Sequence, residues 1–190
     1  PGTISSADNL TVDGGFYDPD ALLGTIGDRV WFDDNGDGVQ DGGEAGISNV
    51  TVNLLDNNGN VVDTDTTDGN GNYLFEYVVA GDYTVMIDTA TLPSDVQQTY
   101  DNDGLGSPDQ SSLTLPAGAD NLDQDFGYQP LGTIGDRVWF DDNGDGVQDG
   151  GEAGINNVTV NLIQDGNTIA TDTTDSNGSY LFTDLPQGDY

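Results

Sequence analysis

Leu23 to Ile47 reads LGTIGDRVWFDDNGDGVQDGGEAGI, and Leu131 to Ile155 repeats it letter for letter. Leu131 stands 108 positions after Leu23. Beyond this segment the copies drift but stay aligned. NVTVNLL from Asn49 matches NVTVNLI from Asn157, and TDTTDGNGNYLF from Thr64 matches TDTTDSNGSYLF from Thr171 after one deletion. A chain built of copies folds as units that stack on their neighbours. Residues 1–22 read as the tail strand of a preceding repeat plus a linker, since Ala7-Asp8-Asn9-Leu10 before Phe16-Tyr17 parallels Ala119-Asp120-Asn121-Leu122 before Phe126-Gly127-Tyr128. Residues 23–130 form one complete repeat, and 131–190 the first part of the next, as in a window on a longer array. The connector Tyr128-Gln129-Pro130-Leu131-Gly132 is short and holds a proline, which favours a stiff rod.

Within the repeat, alternating apolar and polar residues predict strands. Thr25–Phe32 places Ile26, Val30 and Phe32 on one face and Arg29 and Trp31 on the other. Asn49–Asp56 aligns Val50, Val52 and Leu54, and Asn57-Asn58-Gly59 turns the chain into Asn60–Thr66. Asn72–Val78 aligns Tyr73, Phe75 and Tyr77, and Asp82–Asp88 aligns Tyr83, Val85 and Ile87. Weaker strands are expected at Gln97–Tyr100, Ser111–Leu115 and Leu122–Tyr128, with no helix of normal length. Seven or eight short strands in about 100 residues predict an all-β fold, a tandem Greek-key β-sandwich.

Such a sandwich must form from an adverse composition. Hydrophobic residues make up 34% of the chain, against 35 acidic residues and two arginines, for a net charge of −33. Low hydrophobicity with high charge is typical of disorder, so something besides core size has to hold the chain together. There is no Cys, His or Lys. Disulfides, thiolate zinc sites, imidazole bases and Schiff-base chemistry are therefore excluded. Nucleic acid is an unfavourable partner for so acidic a chain. No apolar run approaches the ~20 residues that span a bilayer, so no membrane insertion is expected. Asp pairs fall at many spacings by abundance alone, and the chain does not read as an enzyme.

The acids have an order. DDNGDGVQDGGE, Asp33 to Glu44, fits the twelve-residue calcium loop D-x-[DN]-x-[DN]-G-x5-E. Asp33, Asn35 and Asp37 take positions 1, 3 and 5, and Gly38 takes the sharp turn at 6. Val39 at 7 would offer its carbonyl, Asp41 at 9 would bind directly or through water, and Glu44 at 12 would reach back with both oxygens. Asp141, Asn143, Asp145, Val147, Asp149 and Glu152 repeat the set. Only three of the acids are Glu, and two of them occupy position 12. An all-oxygen set on a flexible loop favours Ca²⁺ as the cofactor. The loop joins two strands rather than two helices.

Further cation sites have competing readings. Asp68, Asn70 and Asn72, with Asp175, Asn177 and Ser179 as counterparts, form either a site or a metal-free Asx turn. Asp101, Asp103 and Asp109 share an acidic loop that suits a cation. Asp28 and Asp136 either complete one of these sites or pair with Arg29 and Arg137. Asp123 and Asp125 read as a solvated strand face.

GDRVWFDDNGDGVQDGGEAGI, followed by NVTVNLLDNNGN, TTDGNGNYLF, AGDYTV and ADNLDQDFGY, resembles the B domains of the serine–aspartate-repeat (Sdr) surface proteins, related to the collagen-adhesin B-type fold. The resemblance covers nearly the whole chain. It implies a Greek-key sandwich that binds several Ca²⁺ per repeat and occurs in tandem between an adhesive head and a wall anchor, on an extracellular bacterial surface or fibre. The expected role is a calcium-stiffened stalk or spacer. Its expected partners are neighbouring repeats of the same chain, in self-assembly into a fibre, and a host or matrix ligand taken by a head domain elsewhere. The alternative is that the repeat itself is a binding module for a host protein, a glycan or a neighbouring subunit. Related folds carry a Lys–Asn isopeptide bond, which a chain without Lys cannot form.

Overall fold

The computed structural model describes residues 22–190. The tail strand expected in residues 1–22 lies, but for Leu22, outside the described residues. The chain is all-β, and helical structure among the described residues is limited to a 3₁₀ turn at Thr89–Thr91 and the 3₁₀ position Leu22.

The first repeat contains β1 (Gly24–Phe32), β2 (Thr51–Asp56), β3 (Val61–Thr66), β4 (Asn72–Val78), β5 (Gly81–Ile87), β6 (Val96–Asp101), β7 (Gln110–Leu115), β8 (Asp120–Asn121) and β9 (Phe126–Pro130). One sheet runs β4-β1-β9-β6, and the other runs β3-β2-β5-β7. The parallel pairing of β1 with β9, Val30 opposite Phe126, brings the two ends of the repeat side by side. Val30, Phe75 and Phe126 of the first sheet meet Val52, Leu54 and Val85 of the second in one buried core. The second repeat contains β10 (Gly132–Arg137), β11 (Thr159–Gln164), β12 (Asn167–Thr173) and β13 (Ser179–Leu185). Its pairing copies the first, with Asp136 opposite Tyr180 where Asp28 faces Tyr73.

Two expectations fail for local reasons. Tyr77 points to solvent at 73% exposure, because its backbone turns left-handed (φ 59°) and breaks the alternation, so Val78 is buried instead. Trp31, on the face opposite Val30, is also buried, because Tyr100 packs on it with ring centroids 5.4 Å apart and the chain of β9 passes beneath it. Leu122–Tyr128 is not one strand. The Asp125 carboxylate accepts the Arg29 N–H at 2.9 Å, and Gln124 donates its backbone N–H to Gly27, so β8 and β9 are separated along the edge of β1.

Carboxylates also tie strand to strand. Asp65 on β3 accepts the Leu74 N–H of β4 at 2.8 Å, linking the two sheets, and Asp172 does the same for Leu181 at 2.9 Å. A buried N–H left without an acceptor costs about 1–3 kcal/mol, so such ties matter most where they are shielded from water.

Gly127 is required by space. A Cβ there would lie 2.7 Å from the Trp31 ring. Gly127→Ala should therefore lower stability by about 1–3 kcal/mol, read as a lower urea midpoint at unchanged slope.

Candidate functional site

The loop Asp33–Glu44 leaves the end of β1, where the Asp33 N–H donates to the Tyr128 carbonyl of β9 at 2.9 Å. Asp33 is wholly buried, yet no cationic side chain is among its hydrogen-bond partners. One carboxylate oxygen accepts Gly36 N–H at 2.7 Å and Asp37 N–H at 3.2 Å, and the other accepts Gly38 N–H at 2.8 Å. This wrapping requires left-handed backbone at Gly36 and Gly38, both at φ 73°. Glu44 closes the far end, its two oxygens accepting Asp34 N–H at 3.0 Å and Asp41 N–H at 2.8 Å.

Between these ends the acids converge. The Asn35 amide nitrogen donates to Asp37 at 3.0 Å and to Asp41 at 3.2 Å, so one partial positive charge stands between two carboxylates. The second copy is alike: Asn143 bridges Asp145 at 3.1 Å and Asp149 at 2.9 Å, Asp141 takes Gly144 and Gly146 N–H groups, and Glu152 takes Asp142 and Asp149 N–H groups. Val39 and Val147 are exposed, and the N–H of each donates to the preceding acid, Asp37 or Asp145, at 2.8 Å. The donor types suit a hard cation, but among the described residues no three carboxylates lie together at cation-ligand spacing. Binding one would require Asn35 to turn its oxygen toward the point that its nitrogen now occupies.

The remaining acids separate. Asp68 accepts Asn70 N–H at 2.8 Å and Asn72 N–H at 2.9 Å, the geometry of an Asx turn, and these bonds lower its carboxyl below the ordinary range. Asp175 repeats this with Ser179 and Asn177. Asp101 is buried, one oxygen accepts the Gln98 amide at 3.1 Å, and the other has no partner. Burial pushes Asp101 up, and the charge of Asp103 adds to this. Asp103 accepts Ser112 N–H at 2.8 Å, whereas Asp109 accepts the Tyr128 hydroxyl at 2.8 Å.

Arg29 does not hydrogen-bond to Asp28. Its guanidinium donates to the Asn70 carbonyl at 2.9 Å and the Glu44 carbonyl at 3.1 Å, clamping the acidic loop to the 68–72 turn. Arg137 joins Asn177 at 2.6 Å to Glu152 at 3.1 Å, so Asp136 is likewise left without its arginine. The sequence held one signal for this clamp: each copy contains a single cationic side chain, at the same place.

Asp28 instead places its charge near Asp125. Burial first, then Asp28, pushes the half-buried Asp125 carboxyl up to about 6, against the Arg29 N–H that it accepts. Asp125 is thus not a solvated group.

A strand-flanked acidic loop, copied in a tandem β-sandwich and clamped by one arginine, defines a class of repeat modules. Residues 24–128 and 132–190 each match the family model described as SdrD B-like domain, and the chain belongs to this family. It is 44% identical over 192 residues to serine-aspartate repeat-containing protein F of Staphylococcus epidermidis, covering 100% of the chain and 12% of that relative. It is 43% identical over 195 residues to serine-aspartate repeat-containing protein D of Staphylococcus aureus, covering 100% of the chain and 14% of that relative. The chain therefore spans a small part of the curated relatives it matches. Among solved structures, the Bacillus anthracis TIE protein matches with a TM-score of 0.45 at 16% identity, covering 88% of the chain and 27% of that structure. A Streptococcal ancillary pilin matches with a TM-score of 0.43 at 12% identity, covering 89% and 52%.

Two outcomes follow from this geometry. Arg29→Met removes both charge-assisted bonds and should cost about 1.5–3 kcal/mol. Arg29→Lys should recover little, because a lysine lacks the planar fork that reaches two carbonyls; chemical denaturation of the three proteins checks both. For Asp125, the folded pKa of about 6 lies above the unfolded value near 3.9. The folded state then holds more protons between those values, so this group's contribution falls as pH rises through that window. Asp125→Asn should raise the melting temperature at neutral pH in cation-free buffer and flatten its dependence on pH between about 4 and 6.

Proposed function

We propose that this chain is a calcium-stiffened spacer, part of a stalk or extracellular fibre of a bacterial surface protein. The observation that carries this reading is the convergence of Asp37 and Asp41 on the Asn35 amide, between two loop ends already held by Asp33 and Glu44. Two carboxylates about 4 Å apart repel by about 4 kcal/mol at an effective dielectric near 20. A bound Ca²⁺ supplies charge that cancels this repulsion and ties the loop to itself.

In this reading Asp33, Asn35, Asp37, Asp41 and Glu44, with the Val39 carbonyl, hold one ion, and Asp141, Asn143, Asp145, Asp149 and Glu152, with the Val147 carbonyl, hold another. Asp101 and Asp103 are a further candidate pair in the complete repeat, since Asp101 is buried with one oxygen unpartnered. Asp109 faces Tyr128, and Asp68 and Asp175 serve their turns as Asx caps. The family membership supports placement on a cell surface in tandem with further repeats, and a structural rather than enzymatic role. Recognition of a host or matrix ligand then belongs to a head domain outside these residues.

A cation that binds only the folded loop stabilises it by mass action, by about 2.7 kcal/mol when present at a hundred times its dissociation constant. With about 4–8 °C per kcal/mol for a domain of this size, chelator should lower the melting temperature by roughly 10–20 °C. Differential scanning calorimetry in millimolar calcium and in EGTA checks this. An unchanged melting temperature in the wild type would count against the proposal. Glu44→Gln with Glu152→Gln should show most of the loss even in calcium.

A further inference from the structure

The acidic loop of the first repeat stands at the joint to the second. β9 ends at Pro130 and β10 starts at Gly132, so Leu131 is the one residue between the last strand of the first repeat and the first strand of the second. Its freedom is limited on both sides. Pro130 pairs with Val96 at the start of β6, and the Leu131 N–H donates to the Asp95 carbonyl at 2.7 Å. Gly132 is exposed and pairs with Leu185 inside the second repeat, so the joint turns where the chain passes from Leu131 into Gly132.

What faces this point comes from the loop. A cavity of about 260 Å³ at the joint is lined by Asp34 from the loop, by Pro130, Leu131 and Gly132 from the connector, and by Leu185 and Gln187 from the second repeat. Asp34 is the one charged residue in that lining. Its position depends on both ends of the loop. The Asp34 N–H donates to Glu44, and the adjacent Asp33 N–H donates to Tyr128, two residues before Pro130. Gly36 also lies against the Gln129 amide, where a Cβ would come within 2.5 Å of the side-chain nitrogen. The connector is thus attached to the loop at Tyr128, Gln129 and the cavity wall.

We infer that the loop of each repeat seats the repeat that follows it, so that closing Asp33–Glu44 fixes the angle at Gly132, whereas closing Asp141–Glu152 leaves this joint unaffected. This rests on the calcium reading for what closes the loop. The coupling runs one way because the second loop lies on the next repeat and does not line this cavity.

The chain has no cysteine, so two can be placed without interference. Val62→Cys on β3 and Ile169→Cys on β12, both about half exposed, carry spin labels for a distance measurement across the joint by pulsed electron resonance. Calcium counts come from native mass spectrometry on the same samples. In calcium the parent protein should give a narrow distance distribution. Glu44→Gln should broaden it, and Glu152→Gln should keep it narrow, although each loses one ion. Asp34→Ala with Gln187→Ala leaves every proposed ligand in place; it should broaden the distribution at an unchanged ion count. Should Glu44→Gln unfold the first repeat, seen by circular dichroism, this exposed pair decides alone. A narrow distribution in the pair, or equal broadening by Glu44→Gln and Glu152→Gln, overturns the inference. An absence of bound calcium in the parent protein overturns the calcium reading instead, and the Asp34 and Gln187 comparison then still tests the seat itself.

Discussion

A carboxylate can be stabilised by backbone N–H groups without any opposing side-chain charge, and this interaction recurs throughout the molecule. Asp33 accepts three such groups while wholly buried, and Asp56 caps the β2–β3 turn by accepting Asn58 and Asn60 N–H groups, which holds its carboxyl down at about 2. Asp68 and Asp175 cap the turns before β4 and β13, while Asp65 and Asp172 reach from one sheet to the other. The chain uses aspartate where many folds use a loop carbonyl or a serine. Its short side chain returns to the backbone within two to five residues, which suits turns, and glycine at the next positions allows the curvature.

This arrangement satisfies donors but not the sum of the charges. Residues 23–130 carry 20 acids and one Arg. That arginine is committed to two carbonyls, so it braces the acidic loop from behind rather than neutralising it. Cys and Lys are absent, and with them the covalent staples available to small surface domains. In the proposed reading, a divalent cation in the loop would supply both missing elements, a counter-charge and a cross-link. Because the loop is joined to β9 and borders the connector, that cross-link would bear on the neighbouring repeat as well as on its own.

The strands were legible wherever side chains alternate between a shared core and water, as in β2 and β5, since Val52, Leu54, Val85 and Ile87 are all buried. The reading failed where the backbone departs from the strand. Tyr77 at φ 59° reverses the faces after it, and Asp125 replaces a backbone carbonyl on the edge of β1. Neither event leaves a periodic trace. The twelve-residue loop was readable because its spacing is local, and one residue type falls at each turn of the backbone. The Arg29 clamp, the Asp65 tie and the Asp34 wall were not, because their partners lie 15 and 41 residues away, 9 residues away, and in the next repeat. The burial of Trp31 depends on Tyr100, which is distant in sequence and next to it in space.

Calcium titration of the whole chain by isothermal calorimetry, starting from metal-free protein, tests the central claim most directly. The account predicts binding with at least one tight site per twelve-residue loop, saturating below millimolar calcium, with a gain of regular β structure or of proteolytic resistance over the same range. A flat titration through millimolar calcium, with the sandwich already folded and rigid in its absence, would contradict it.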